Sequence, residues 1–180
     1  MLEDRAVLEE LARLRGQGWK IGLTVTGQGQ GDTVRRALGV TVAGRPLFDC
    51  VQATWNLLEP SAGPALEEAK AAGLGVIVKE ALANGRLTAR NCDPAFADRR
   101  RRLQEEAARF GVSLDALALA AVLARPWVDV VLSGAAALDQ LRSNLAALAV
   151  EWDHQASEMA ESLAEIPEGY WHTRARLPWN

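Results

Sequence analysis

The chain has 180 residues, 49% of them hydrophobic and 24% charged, with a net charge of −3. That is enough apolar material for one core, so residues 1–180 read as a single folding unit. The balance of charge speaks against nucleic acid or a membrane surface as partner, and the apolar runs stop well short of a membrane span.

The first segment, MLEDRAVLEELARLRG, is charged and amphipathic, which describes a helix over residues 2–15 and no signal peptide. Gly16 and Gly18 stop it. Trp19 to Val25 is a short apolar run read as a strand, followed by the loop GQGQGD and a helix that starts at Asp32 or the residues before it and runs to Leu38. Phe48 to Thr54 is the second strand, and Pro60, Gly63 and Pro64 punctuate the connection to a helix from Ala65 to Ala72 closed by Gly73. Gly75 to Lys79, GVIVK, is a continuous apolar run suited to a strand buried on both faces.

A polar connection, RLTARNCDP, leads to a helix from Ala95 to Phe110 that ends at Gly111. Ser113 is an N-cap for a helix from Leu114 to Ala124. Val128 to Leu132 is the fourth strand, Leu138 to Leu148 its helix, and a last helix over Asp153 to Ala164 precedes the tail IPEGYWHTRARLPWN. Strands alternating with helices imply an α/β fold with a parallel sheet and helical crossovers. Four strands are half of an eight-stranded (β/α) barrel, which takes about 250 residues, and an open half has two sheet edges to cover.

Several local patterns carry no site. Gly27-Gln28-Gly29-Gln30-Gly31 lacks the spacing of a phosphate loop. Arg99 to Arg102 is read as a solvated helix face. Glu9-Glu10, Glu67-Glu68 and Glu105-Glu106 are adjacent on helices and diverge, so none is a shared acid–base pair. Trp55, Trp127, Trp152, Trp171 and Trp179 are read as packing residues. Cys50 and Cys92 lack metal spacing, so no metal residues are assigned; free thiols in a reducing cytoplasm are the simpler reading and a single bridge the other.

Four segments together carry a resemblance. WKIGLTVTG at 19–27, VQATWNLLEP at 51–60, GLGVIVKEALANGRLT at 73–88 and VDVVLSGAAALDQLRSNLAAL at 128–148 resemble the fifth to eighth strands and following loops of the aldo-keto reductase family, in its order and spacing. The resemblance implies the C-terminal half of a (β/α)8 TIM barrel with a C-terminal helix and tail. It also implies an NADP or NAD cofactor and hydride transfer to a small carbonyl substrate. The family's catalytic Asp, Tyr, Lys and His lie on the first four strands, for which only one helix stands before residue 19. Tyr170, His154 and His172 fall in or beyond the last helix, so no catalytic residue is carried over.

The cofactor residues follow from the same resemblance. Ser133 and Gly134 end a strand ahead of a helix start, an arrangement suited to a phosphate. Gln140 and Asn144 share one helix face and would hold the adenine edge; as a bare pattern, a turn with two solvated amides fits equally. Thr24 and Gln52, at strand ends, would bond the nicotinamide carboxamide, although Val25 stands where many members have Asn. Lys79 replaces the family's aromatic residue over the nicotinamide ring, or is merely the polar end of a strand. Leu82, Asn84 and Gly85 would line the pyrophosphate. Alanines surround Ala136, where the family often places a group for the adenosine phosphate, which weighs against a strong preference for the phosphorylated cofactor; Arg142 is a substitute.

The expectation is therefore a cytoplasmic chain that supplies much of a dinucleotide site and is inactive alone. Met1 falls within what resembles the helix before the fifth strand, which suggests a truncated gene or an internal start. The alternatives are one chain of a split enzyme, or a non-catalytic nucleotide-binding or assembly half-barrel. Self-association or a missing N-terminal half would supply the cover.

Overall fold

A computed structural model describes residues 2–177. Met1 and Trp179, considered above, lie outside the described residues, as do Pro178 and Asn180 of the tail.

Helix α1 (Arg5–Gly16) starts at Asp4, whose carboxylate accepts a hydrogen bond from the Val7 amide at 3.2 Å. It buries no residue fully and is tied down by Arg15, which reaches Asp49 at 2.9 Å and the Pro46 carbonyl at 2.6 Å. Strand β1 (Gly22–Thr24) and helix α2 (Gln30–Leu38) follow. Strands β2 (Thr41–Val42) and β3 (Arg45–Pro46) form an antiparallel hairpin. Its turn residues, Ala43 and Gly44, have φ of 50° and 74°, the left-handed geometry of tight hairpin turns.

Strand β4 (Cys50–Thr54), helix α3 (Gly63–Ala71) and strand β5 (Gly75–Lys79) come next. Gly73, at φ 88°, turns the chain from α3 into β5. Helix α4 (Ala97–Phe110) ends on left-handed Gly111, and helix α5 (Leu114–Leu123) begins at Ser113, whose hydroxyl accepts from the Ala116 amide. Strand β6 (Val130–Val131) leads to α6 (Leu138–Leu145), α7 (His154–Glu161) and α8 (Pro167–Arg174).

The main sheet is parallel, in the order β1-β4-β5-β6. Side chains alternate across it. On one face Val51, Ala53, Val76 and Val78 are fully buried, packed with Val34 and Ala37 of α2, Leu66 and Ala69 of α3, and Ala116 and Leu119 of α5. Helix α5 is apolar on every side because it lies between the sheet and a second core built from Leu103, Ala107, Leu163 and Tyr170. Trp55 and Trp127 pack edge to face with ring centroids 5.7 Å apart.

The other face of the sheet carries no helix. Thr24, Gln52, Ile77 and Val130 stand in one register row across four strands, and each is exposed or half-buried. Gly22, Cys50 and Gly75 form another row. A Cβ at Gly22 would come within 2.5 Å of the Cys50 Sγ, so glycine makes room for the thiol. The outer edges of β1 and β6 have no neighbouring strand among the described residues. This is the geometry of half a barrel wall, covered outside and bare inside.

Several expectations need correction. Helix α2 starts at Gln30, just before Asp32 as the pattern allowed, but the burial of Gln30 was not expected: its side chain donates to the Thr54 carbonyl and accepts from the Thr54 amide. The β2–β3 hairpin was not expected, because its strands are two residues each and carry no alternation to read. GVIVK is buried on one face only. The expected helix over residues 153–164 is shorter, and the tail holds a further helix, α8, whose Tyr170 is fully buried. The helix expected over Leu138 to Leu148 starts at Leu138 as expected but ends at Leu145, passing into a 3-10 turn over Ala146–Ala149.

Candidate functional site

Two adjoining clefts open at the C-terminal ends of β5 and β6. One, of about 370 Å³, is lined by Lys79, Glu80, Leu82, Asn84, Gly85, Thr88, Arg90, Ser133 and Gly134, among others. The other, of about 220 Å³, shares Leu82, Thr88, Arg90, Ser133 and Gly134 and adds Asp115, Gln140 and Asn144. The fold thus brings together Lys79, Leu82, Gly85, Ser133, Gly134, Gln140 and Asn144. Thr24 and Gln52 line neither cleft; they are register partners on the bare face of the sheet, with β5 between them and β6.

The loop after β5 is wound tightly. Glu80, Ala83, Asn84 and Gly85 have φ of 56°, 48°, 54° and 88°. Three of these are not glycine, and such conformations cost on the order of 1–3 kcal/mol each unless the surroundings fix them. The Thr88 hydroxyl helps fix the loop by donating to the Gly85 carbonyl at 2.8 Å and accepting from the Arg90 amide at 3.3 Å.

The opposite wall is fixed by amides. Gly134 has φ 64°. The Gln140 Oε1 accepts from the Ala136 amide at 2.9 Å, and the Asn144 Nδ2 donates to the Ser133 carbonyl at 3.1 Å. Gln140 therefore closes the turn ahead of α6 and occupies one of the amides expected to face an anion. The Oδ1 atoms of Asn144 and Asn84 are both buried without a hydrogen-bond partner. A buried acceptor left unpaired costs about 1–3 kcal/mol, so the two walls each hold an oxygen that gains from a donor such as an amine or hydroxyl.

The electrostatics are mixed. Burial lowers the pKa of Lys79, opposed by Glu80 beside it. Arg90 adds a second cation, which sequence reading missed because it placed the whole RLTAR stretch in a connection. Asp115 supplies a carboxylate to the smaller cleft. Arg142 lines neither cleft and lies 3.7 Å from Asp139. A larger hollow of about 700 Å³ lies at the opposite end of the strands, where Arg15 and Lys20 both pair with Asp49. Among the described residues no group of His, Cys, Asp and Glu is arranged to hold a metal ion, and no helix is long and apolar enough to cross a membrane.

The aldo/keto reductase family profile matches residues 5–165. The chain belongs to that family. The thermostable aldo-keto reductase Tm1743, solved in complex with the inhibitor epalrestat, superposes with a TM-score of 0.67 at 21% identity, over 91% of this chain and 55% of its own. The aldo-keto reductase AKR11C1 from Bacillus halodurans superposes with a TM-score of 0.69 in its apo form, at 20% identity, and in its holo form, at 19%. Those matches cover 91% and 92% of this chain and 58% of AKR11C1. The chain thus spans somewhat more than half the length of the reductases it resembles, and its four parallel strands with their helices superpose on part of their fold. No curated protein sequence matches it significantly.

Proposed function

We propose that this chain supplies the dinucleotide-binding half of an NAD(P)H-dependent carbonyl reductase. The observation that carries the reading is the pair of orphaned amide oxygens on Asn84 and Asn144, residues that line the two adjoining clefts, together with Lys79 in one cleft and Arg90 in both. A dinucleotide offers what these groups lack: hydroxyls and an amine to donate, and phosphates to accept. Bound there, it would supply the hydride for a carbonyl carbon. Leu82 and the backbone of Gly85 and Gly134 offer an apolar and unobstructed wall, since a Cβ at either glycine would meet no atom within 4 Å. Gln52, on the strand next to β5, and Thr24, on the strand beyond it, are the candidates to bond a carboxamide at the far end of an extended ligand. The cofactor is NADP or NAD; the alanines at 135 and 136 offer no charge for a second phosphate, and Arg90 is a cation lining the same cleft as Ala135.

The proton donor comes from elsewhere in this reading. Tyr170 is fully buried on α8, its pKa pushed up to about 12 by burial, and it lines neither cleft. A general acid must sit within hydrogen-bond reach of the carbonyl oxygen. The bare sheet face favours a partner: a complementary N-terminal half or a second copy. A non-catalytic nucleotide-binding half-barrel is the second reading, favoured by that same face. Both cysteines are free, as a cytoplasmic location allows.

The test is fluorescence titration of NADH and NADPH into the chain, alone and mixed with an N-terminal reductase half, followed by an aldehyde and ketone panel. Binding with turnover only in the mixture supports the reading. Binding without turnover favours the second reading. No binding in either setting overturns both.

A further inference from the structure

We propose that Glu80 positions the loop forming the β5 side of the nucleotide cleft, and that Arg174 of α8 holds Glu80 in place. The identity of the ligand rests on the reading above; the clamp itself does not.

Glu80 is the first residue beyond β5 and the first of the left-handed residues in that loop. A glutamate keeps φ near 56° only where its neighbours leave no alternative. Its carbonyl accepts from the Ala83 amide at 2.8 Å and from the Asn56 Nδ2 at 3.0 Å. Its carboxylate takes the Arg174 guanidinium at 2.6 Å, with both side chains mostly buried, 15% and 19% exposed. Asn56 also donates to the Tyr170 hydroxyl at 2.9 Å, and Tyr170 lies on the same helix as Arg174. Helix α8 therefore reaches one loop residue by two routes: directly to its carboxylate, and through Asn56 to its carbonyl.

The pairing also settles a charge. Glu80 lines the cleft next to Lys79. An uncompensated carboxylate there would draw the Lys79 ammonium to itself and repel an anionic ligand. Arg174 neutralises it and leaves the Lys79 charge to the cleft. A segment that reads from sequence as a tail thus sets both the shape and the charge of a site nearly a hundred positions earlier.

The test is amide hydrogen exchange of residues 80–88 in the ligand-free full chain, for the wild type, Arg174→Ala, Arg174→Lys, Glu80→Gln and the swap Glu80→Arg with Arg174→Glu. Arg174→Ala and Glu80→Gln should speed exchange in 80–88 roughly tenfold or more while leaving α5 protected, Arg174→Lys should recover part of it, and the swap should recover some. Dinucleotide affinity should fall in parallel. Wild-type exchange of 80–88 in both Arg174→Ala and Glu80→Gln overturns the clamp. Should Arg174→Ala fail to fold, Glu80→Gln, which keeps the shape of the side chain, decides alone. Faster loop exchange in a chain whose wild type binds no dinucleotide supports the clamp and counts against the nucleotide reading only.

Discussion

Asn56 and Tyr170, 114 positions apart, meet in a buried hydrogen bond of 2.9 Å, the amide donating to the phenol oxygen. Tyr170 is the only tyrosine in the chain, which makes the bond observable. Burial is the main cause of its pKa of about 12. Phenolate absorbance should therefore appear near pH 12 in the folded chain and near the ordinary value of about 10 in denaturant. Because the folded pKa is the higher one, this group's contribution to stability is complete below about pH 10 and is lost as the pH rises through the folded value. Tyr170→Phe should cost about 0.5–1.5 kcal/mol by urea unfolding, since Asn56 keeps its bond to Glu80.

Glu59 is buried beside Ser61, and burial raises its pKa. Its protonated form favours the fold, so its contribution is present below the unfolded value of about 4.3 and is lost as pH rises through the folded one. Asp49 and Asp129 behave oppositely. Arg15 and Lys70 lower their pKa values, so their contributions hold above about 3.9 and are lost as pH falls through the folded values. Glu59→Gln should remove the part of stability that declines as pH rises above the unfolded value of about 4.3, measured by urea unfolding across that rise. An unchanged pH slope would show that Glu59 stays ionised.

In the cleft, Asn144→Ala removes the bond to the Ser133 carbonyl and the orphaned oxygen together. Dinucleotide affinity in the assembled protein should fall a few-fold to about tenfold, equivalent to roughly 0.5–1.5 kcal/mol. Gly134→Val should do more, because φ of 64° disfavours a branched residue and its side chain would stand in the cleft. Titration of NADH and NADPH checks both; unchanged affinity would remove this wall from the site.

The bare sheet face should make the isolated chain associate. Val130 and Leu132 are 46% and 43% exposed there, with Ile77 beside them. Sedimentation velocity should show mass rising with concentration, and Val130→Glu with Leu132→Glu should reduce it. A compact monomer at all concentrations that binds no hydrophobic dye would contradict this.

The strands, most helices and the family were legible because parallel βα units leave strong local marks: GVIVK, the Ser113 cap and Gly111 each stand where a simple rule puts them. What was missed depends on contacts distant in sequence. Nothing around Gln30 announces that its amide will pair with the Thr54 backbone, and nothing in IPEGYWHTRARL announces a core tyrosine. The cleft was legible in part. Lys79, Leu82, Gly85, Ser133, Gly134, Gln140 and Asn144 line the two clefts while Thr24 and Gln52 do not, and Arg90 joins them beyond a loop of left-handed residues after β5.

The row of Gly22, Cys50 and Gly75 gives the bare face a built-in reporter. With no side chain on either flank, the half-buried Cys50 thiol depends for its shielding on whatever lies across the sheet. Its rate of alkylation, set against that of exposed Cys92 in the same molecule, measures how often the half-barrel is closed. One labelling curve, taken before and after a partner half is added, would separate a wall that is permanently shut from one that breathes.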